Sequence, residues 1–173
     1  MTARTWVIDA ANVVGSRPDG WWRDRPGAAA RLHARILRLL TYVEPPAEAP
    51  VGLATEPPAR PAGDAEPGSP PGPPERVVLV LEGAARAGVE PGTVLAVTRS
   101  GLAENADRPP DSARSLTVVH APGSGDDAIV AAALAATPPV LVFTSDRALR
   151  SRVTANGAQA HGAGSLWALL DRV

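Results

Sequence analysis

A chain of 173 residues, 45% hydrophobic and with a formal net charge of −1, is the size of one domain and long enough to bury a core. It contains no cysteine, which excludes disulfides, thiolate nucleophiles and cysteine-ligated zinc, and its three histidines (His33, His120 and His161) lack metal-ligand spacing. No apolar run approaches the ~20 residues of a membrane span, and the opening Met-Thr-Ala-Arg-Thr has no secretion-signal organisation, so a soluble cytoplasmic protein without a membrane partner is expected.

The first predicted element is a strand, Thr5–Ile8, which ends on Asp9; Asn12 follows three residues later. The loop "GSRPDGWWRDRPG" then sets Trp21 and Trp22 among Arg17, Arg23 and Arg25. Trp22 beside these arginines suits base stacking next to phosphate contacts. The competing reading is that at least one of the two rings pins the loop to the sheet edge. Pro26–Val43 carries Leu32, Ile36, Leu39 and Leu40 at amphipathic helical spacing. Residues 44–75 break every pattern. They are proline-rich, and six acids against the single Arg60 give the stretch −5, which leaves +4 on the rest of the chain. Such a stretch buries too little surface to offset its ordering entropy and reads as a disordered insertion, with a polyproline-type protein contact as its one docking option. The mildly basic remainder is compatible with a polyanionic partner.

After the insertion come strands Val77–Leu81, ending before Glu82, then Val94–Val97 and Leu116–His120. "APGSGDDAIV" opens a helix over Gly125–Ala136. Strand Val140–Phe143 runs into "TSDR" and a helix over Arg147–Ala155, and a helix over Ser165–Asp171 closes the chain. The strands are apolar on consecutive positions, as in a parallel sheet covered on both faces. The alternation predicts a single α/β domain over residues 1–173. Its sheet is open, mainly parallel and of about five strands, flanked by helices in a Rossmann-type three-layer arrangement and interrupted by the disordered insertion.

In such a sheet the site lies beyond the carboxyl ends of the strands. Four of the five predicted strands deliver acids there: Asp9, Glu82, the pair Asp126 and Asp127, and Asp146. Each acid also has a simpler local role. Ser124 with Asp127 fits a capping box, Ser145 or Asp146 fits a helix cap, and Asp9 can order its own loop. Together, however, converging carboxylates repel unless a cation neutralises them. Oxygen ligands alone suit Mg²⁺ or Mn²⁺, whose bound water hydrolyses phosphodiesters. Arg147 and Arg150 share a helix face near this edge, as phosphate contacts or as a solvated face. The segment "PGSGDD" lacks the lysine-containing phosphate-loop pattern, and Ser124 lies outside a Gly-x-Ser-x-Gly elbow.

"VIDAANVV", "GSGDDAIVAAAL" and "VFTSDRALR" resemble, in this order, the motifs of the NYN ribonuclease domains of the PIN-like nuclease superfamily, in their YacP-like group. The resemblance implies a PIN-like fold and a metal-dependent nuclease acting on RNA, single-stranded or structured. It implies Asp9 as a central metal ligand and Asn12 as the residue orienting metal-bound water or a phosphate. Asp126 and Asp127 would hold metal directly or through water, with Asp127, in "DAI", the better match. Asp146 would complete the cluster and Ser145 would bond a phosphate or a ligand. Glu82 stands where such domains often carry an aspartate. A second copy of the chain is a further partner left open. Two other classes compete: another metal-dependent phosphohydrolase acting on nucleotides, and a non-catalytic RNA-binding domain. A haloacid-dehalogenase-type enzyme would want an acid at Ala11.

Overall fold

The computed structural model describes residues 5–41, 74–96 and 114–173. Apart from Pro74 and Glu75, the predicted insertion at 44–75 lies outside the described residues, as do Tyr42, Val43 and Val97 at the ends of two predicted elements.

Strand β1 (Thr5–Asp9) is buried at every position. Alternate side chains go to opposite faces, so a strand buried throughout must be covered on both. Trp6 and Ile8 enter one core, packed on α1 (Ala10–Gly15), α2 (Arg25–Thr41) and α5 (Ala163–Leu170). Val7 enters the other, where Ile129 of α3 (Gly125–Ala135) and Leu149 and Val153 of α4 (Arg147–Ala155) cover the sheet. The three layers are therefore helices, sheet, helices. Trp6 meets Phe143 edge-on at 4.9 Å, and the Trp167 indole of α5 donates to Val13 O at 3.0 Å, tying α5 to α1.

The sheet has six strands: β1, β2 (Arg76–Leu81), β3 (Gly92–Ala96), β4 (Arg114–His120), β5 (Val140–Phe143) and β6 (Gln159–His161). Their spatial order is β3-β4-β2-β1-β5-β6. All pairings are parallel except β3 with β4, which is antiparallel. The chain leaves β1 through α1 and α2 on one face to reach β2, and later crosses from β4 through α3 on the other face to β5. The connections thus diverge at β1, whose two neighbours are β2 and β5. That is the switch point at which open α/β sheets hold their sites.

The five expected strands are present, in a mainly parallel sheet as expected, with the third as its antiparallel edge. A sixth strand, β6, extends the sheet beyond β5. Residues 10–15, which no predicted element covers, form α1, whose N-cap is Asp9 itself. Two short 3-10 segments, Trp21–Arg23 and Gly83–Gly88, fill connections that the sequence left as loops.

Candidate functional site

Asp9 sits where β1 ends and α1 begins, with 8% of its surface exposed. One carboxylate oxygen accepts from Asn12 N at 3.0 Å and the other from the Thr144 hydroxyl at 2.8 Å. Burial pushes its pKa above the ordinary 3.8; the two hydrogen bonds pull it back, and the charges of Asp126 and Glu82 raise it again. The net rise means that the site disfavours the charge it places there.

The partners of Asp9 are held in turn. Thr144, fully buried after β5, also accepts from Asp146 N at 3.1 Å through its hydroxyl oxygen. The side-chain oxygen of Asn12 accepts from Ser145 N at 2.8 Å, and the Ser145 hydroxyl oxygen accepts from Ala163 N at 3.0 Å. One network therefore links the ends of β1 and β5 to the start of α5. Asn12 spends its oxygen inward, so its amide group is the end left to donate elsewhere.

The expected acids are placed unequally. Glu82, after β2, lays its Oε2 on Gly125 N at 2.8 Å and caps α3 from a different strand. Ser124, expected to open a capping box with Asp127, makes no side-chain cap bond. A negative group at a helix N-terminus is favourable in either case. Asp126 is half-buried and close enough to act on the charge of Asp9. Asp127, the better match to the motif, is exposed and pairs with Arg152 at 2.6 Å. Asp146 caps α4 by accepting from Leu149 N at 2.7 Å and joins the network through its backbone rather than its carboxylate. Among the described residues, no three acidic or histidine side chains stand ready as a cage for a metal ion.

The expected substrate contacts divide as well. Arg147 and Arg150 line a shallow polar cleft of about 430 Å³ together with Ser145. Trp22 is 53% exposed and Arg23 is exposed, whereas Trp21 is half-buried. Arg17 is committed elsewhere: it bonds Asp171 and lies over the Trp167 ring at 4.0 Å. Arg35 bonds the same carboxylate at 2.6 Å, and these two arginines hold the Asp171 pKa below its ordinary value. Thr144 is the residue that sequence reasoning passed over. Its signal was present in "FTSD", where a hydroxyl directly follows a buried strand, but its partner lies 135 positions away.

Fold and site together define a three-layer α/β domain with a buried acid at the switch point of a mainly parallel sheet. No protein-family model matches the chain, and no curated protein matches it. Among solved structures it is similar to the crystal structure of a point variant of Rae1 (YacP) from Bacillus subtilis, at 14% identity and a TM-score of 0.54, over 98% of this chain and 76% of that one. The likeness establishes a shared fold.

Proposed function

We propose that the chain is a metal-dependent ribonuclease of the YacP-like NYN group, hydrolysing RNA phosphodiester bonds at the edge where β1, β2 and β5 end. The observation that carries the reading is Asp9, a buried carboxylate fixed by two donors while burial, Asp126 and Glu82 all oppose its charge. Perturbed acids of this kind concentrate at functional sites. The three ordered motifs and the fold shared with Rae1 (YacP) support the same reading.

Mg²⁺ and Mn²⁺ fit this donor set. Such ions are usually held by one or two carboxylates, with water and substrate phosphate completing the shell, so no all-protein cage is required. Asp9 would be the central ligand, with Asp126 beside it. When bound, the ion supplies an acidified water as nucleophile and stabilises charge on the leaving oxygen. The protein's own part is positioning. Thr144 and Asn12 N fix the Asp9 carboxylate, and each of its oxygens keeps a second lone pair for a ligand. The Asn12 amide and the Ser145 hydroxyl can donate to a phosphate. Arg147 and Arg150 line a polar cleft suited to the following phosphates.

The test is cleavage of single-stranded and structured RNA with Mn²⁺ or Mg²⁺, comparing wild type with Asp9→Asn and Asp126→Asn. Loss of cleavage in both is expected; full activity in both would sink the assignment. Release of phosphate from nucleotides, with RNA left intact, would instead mark a nucleotide phosphohydrolase. One observation favours a non-catalytic RNA-binding domain: Asp9, Glu82 and Asp146 each already accept a backbone N–H at a helix start. That reading predicts RNA affinity that persists in EDTA, and no turnover with any metal.

A further inference from the structure

Beside the acids a cleft of about 390 Å³ opens between α1, α2 and the segment after β2, within the size range of small-molecule sites. We infer that it receives one unpaired guanine base of the RNA, stacked on Trp21. The inference rests on the ribonuclease reading and adds which nucleotide the site selects.

The shape of the cleft follows from small side chains. Ala10 and Ala11 of α1 and Ala29 of α2 leave room for a flat ring. Trp21 is the one aromatic wall. Gly20, at φ +83°, turns the chain just before it. The indole lies against Gly15, where an added Cβ would be 3.6 Å away, and meets Trp22 edge-on at 6.2 Å. A ring held on two sides is a preorganised stacking surface, which base recognition exploits.

Only two charged side chains line this mostly apolar space, and their chemistry is opposite. Arg25, with its guanidinium 5.5 Å from the Trp21 ring, can only donate. Glu82 can only accept when ionised; Gly125 N occupies its Oε2, leaving Oε1. The matching ligand needs a π-face, an acceptor edge and a donor edge. Guanine has all three: O6 and N7 face an arginine, and N1–H with the 2-amino group faces a carboxylate. Adenine has no paired acceptor edge for Arg25, and a pyrimidine offers a smaller face for stacking on Trp21. Position supports the same occupant. Ala10 and Ala11 directly follow Asp9, and Glu82 borders both cleft and acids, so a base seated here leaves its own phosphate at the acidic edge.

Guanine can arrive in a free nucleotide or in RNA, and the experiment separates the two. The full chain is titrated with the 5′-monophosphates of guanosine, adenosine, cytidine and uridine, and with a single-stranded RNA containing one guanine. Guanosine monophosphate should bind tightest and compete with the RNA. Trp21→Ala should weaken it roughly tenfold or more, and Trp21→Phe should keep most of the affinity. Ala11→Leu, on the exposed side of α1, should weaken it similarly by filling the cleft, with thermal melts reporting the fold. Cleavage sites in RNA should cluster beside guanine in wild type and lose that preference in Trp21→Ala. Equal binding of all four nucleotides, or guanosine monophosphate binding untouched by both Trp21→Ala and Ala11→Leu, overturns the pocket. Binding without competition from RNA overturns its assignment to RNA. Guanine-selective binding of RNA without cleavage under any metal leaves the pocket standing and removes the nuclease reading instead.

Discussion

Ionisation of Asp9 lowers the stability of the domain that positions it. Its folded pKa lies above the ordinary 3.8, so between those two values the folded state holds more protons than the unfolded one. Stability then falls as pH rises through that window, and at neutral pH the ionised carboxylate carries the full cost. Asp9→Asn should therefore raise the melting temperature at pH 7 relative to wild type while abolishing cleavage. The gain should vanish below the ordinary carboxylate pKa, where both side chains are neutral. Calorimetry from pH 3.5 to 7.5 checks this; a variant less stable than wild type at pH 7 would make Asp9 chiefly a helix cap. Its neighbours offer a sharper contrast. Asp126→Asn should remove Mn²⁺-dependent cleavage and Mn²⁺-induced thermal stabilisation, because Asp126 acts on the charge of Asp9. Asp127→Asn should keep most of both, losing only an exposed pair with Arg152 of the kind that contributes little. The motif in the sequence favours Asp127, whereas in the structure it is Asp126 that acts on Asp9. Adjacent residues on a helix point about 100° apart, and which of them faces the sheet depends on the phase at which α3 starts. The places of Asp9, Asn12 and Asp146 at strand ends follow from short local motifs, whereas Thr144 acquires meaning only from a partner 135 positions away.

Elements whose signal lies in their own composition are legible in the sequence, and those defined by a neighbour are not. β1, β2, β4 and β5 are continuous apolar runs, and α2 has a strong apolar face. β6 is three residues, Gln-Ala-His, with no apolar run, and is a strand because β5 offers it an edge. α1 is six residues, too short for a periodic signal, and starts because Asp9 caps it. The direction of β3 is a property of its pairing with β4, which its sequence does not encode. The start of α3 is a similar case, since its capping carboxylate comes from Glu82, 43 residues earlier. Gly125 permits that approach: a Cβ there would lie 2.5 Å from Glu82 Oε2. Gly125→Ala displaces only the end of a flexible side chain, and the helix gains from alanine roughly what it loses in the cap, each about 1 kcal/mol. The melting temperature should therefore change by only a few degrees while RNA cleavage falls several-fold. A large loss of stability without loss of cleavage would show that Glu82 serves the fold alone.

On the scale of the whole molecule, charge and topology act on the same edge. The chain is near neutral, yet residues 44–75 carry −5 and the rest +4, all of its cations being arginine. The sheet brings acids to the end of β1, while arginines flank them on the loop at Trp22 and on α4. A polyanion approaching that edge meets guanidinium groups around a small acidic centre, and displaced counterions then make its binding salt-dependent. The two arginine sets in the structure should differ in this. Arg147 and Arg150 line an open polar cleft, whereas Arg17 is held by Asp171 over the Trp167 ring, with Arg35 on the same carboxylate. In an Asp9→Asn background, expected on the proposed function to bind without cutting, Arg147→Ala and Arg150→Ala should each weaken affinity for a single-stranded RNA. Each should also flatten the plot of log affinity against log salt by about 0.7 for every phosphate that the variant no longer neutralises. Arg17→Ala should leave that slope unchanged and lower the melting temperature instead, because its contacts join the turn after α1 to α5 rather than protein to ligand. Titrations at four or five KCl concentrations decide between them. An unchanged slope in both α4 variants would move the phosphate path off α4, leaving Arg23 beside Trp22 as the next side chain to remove.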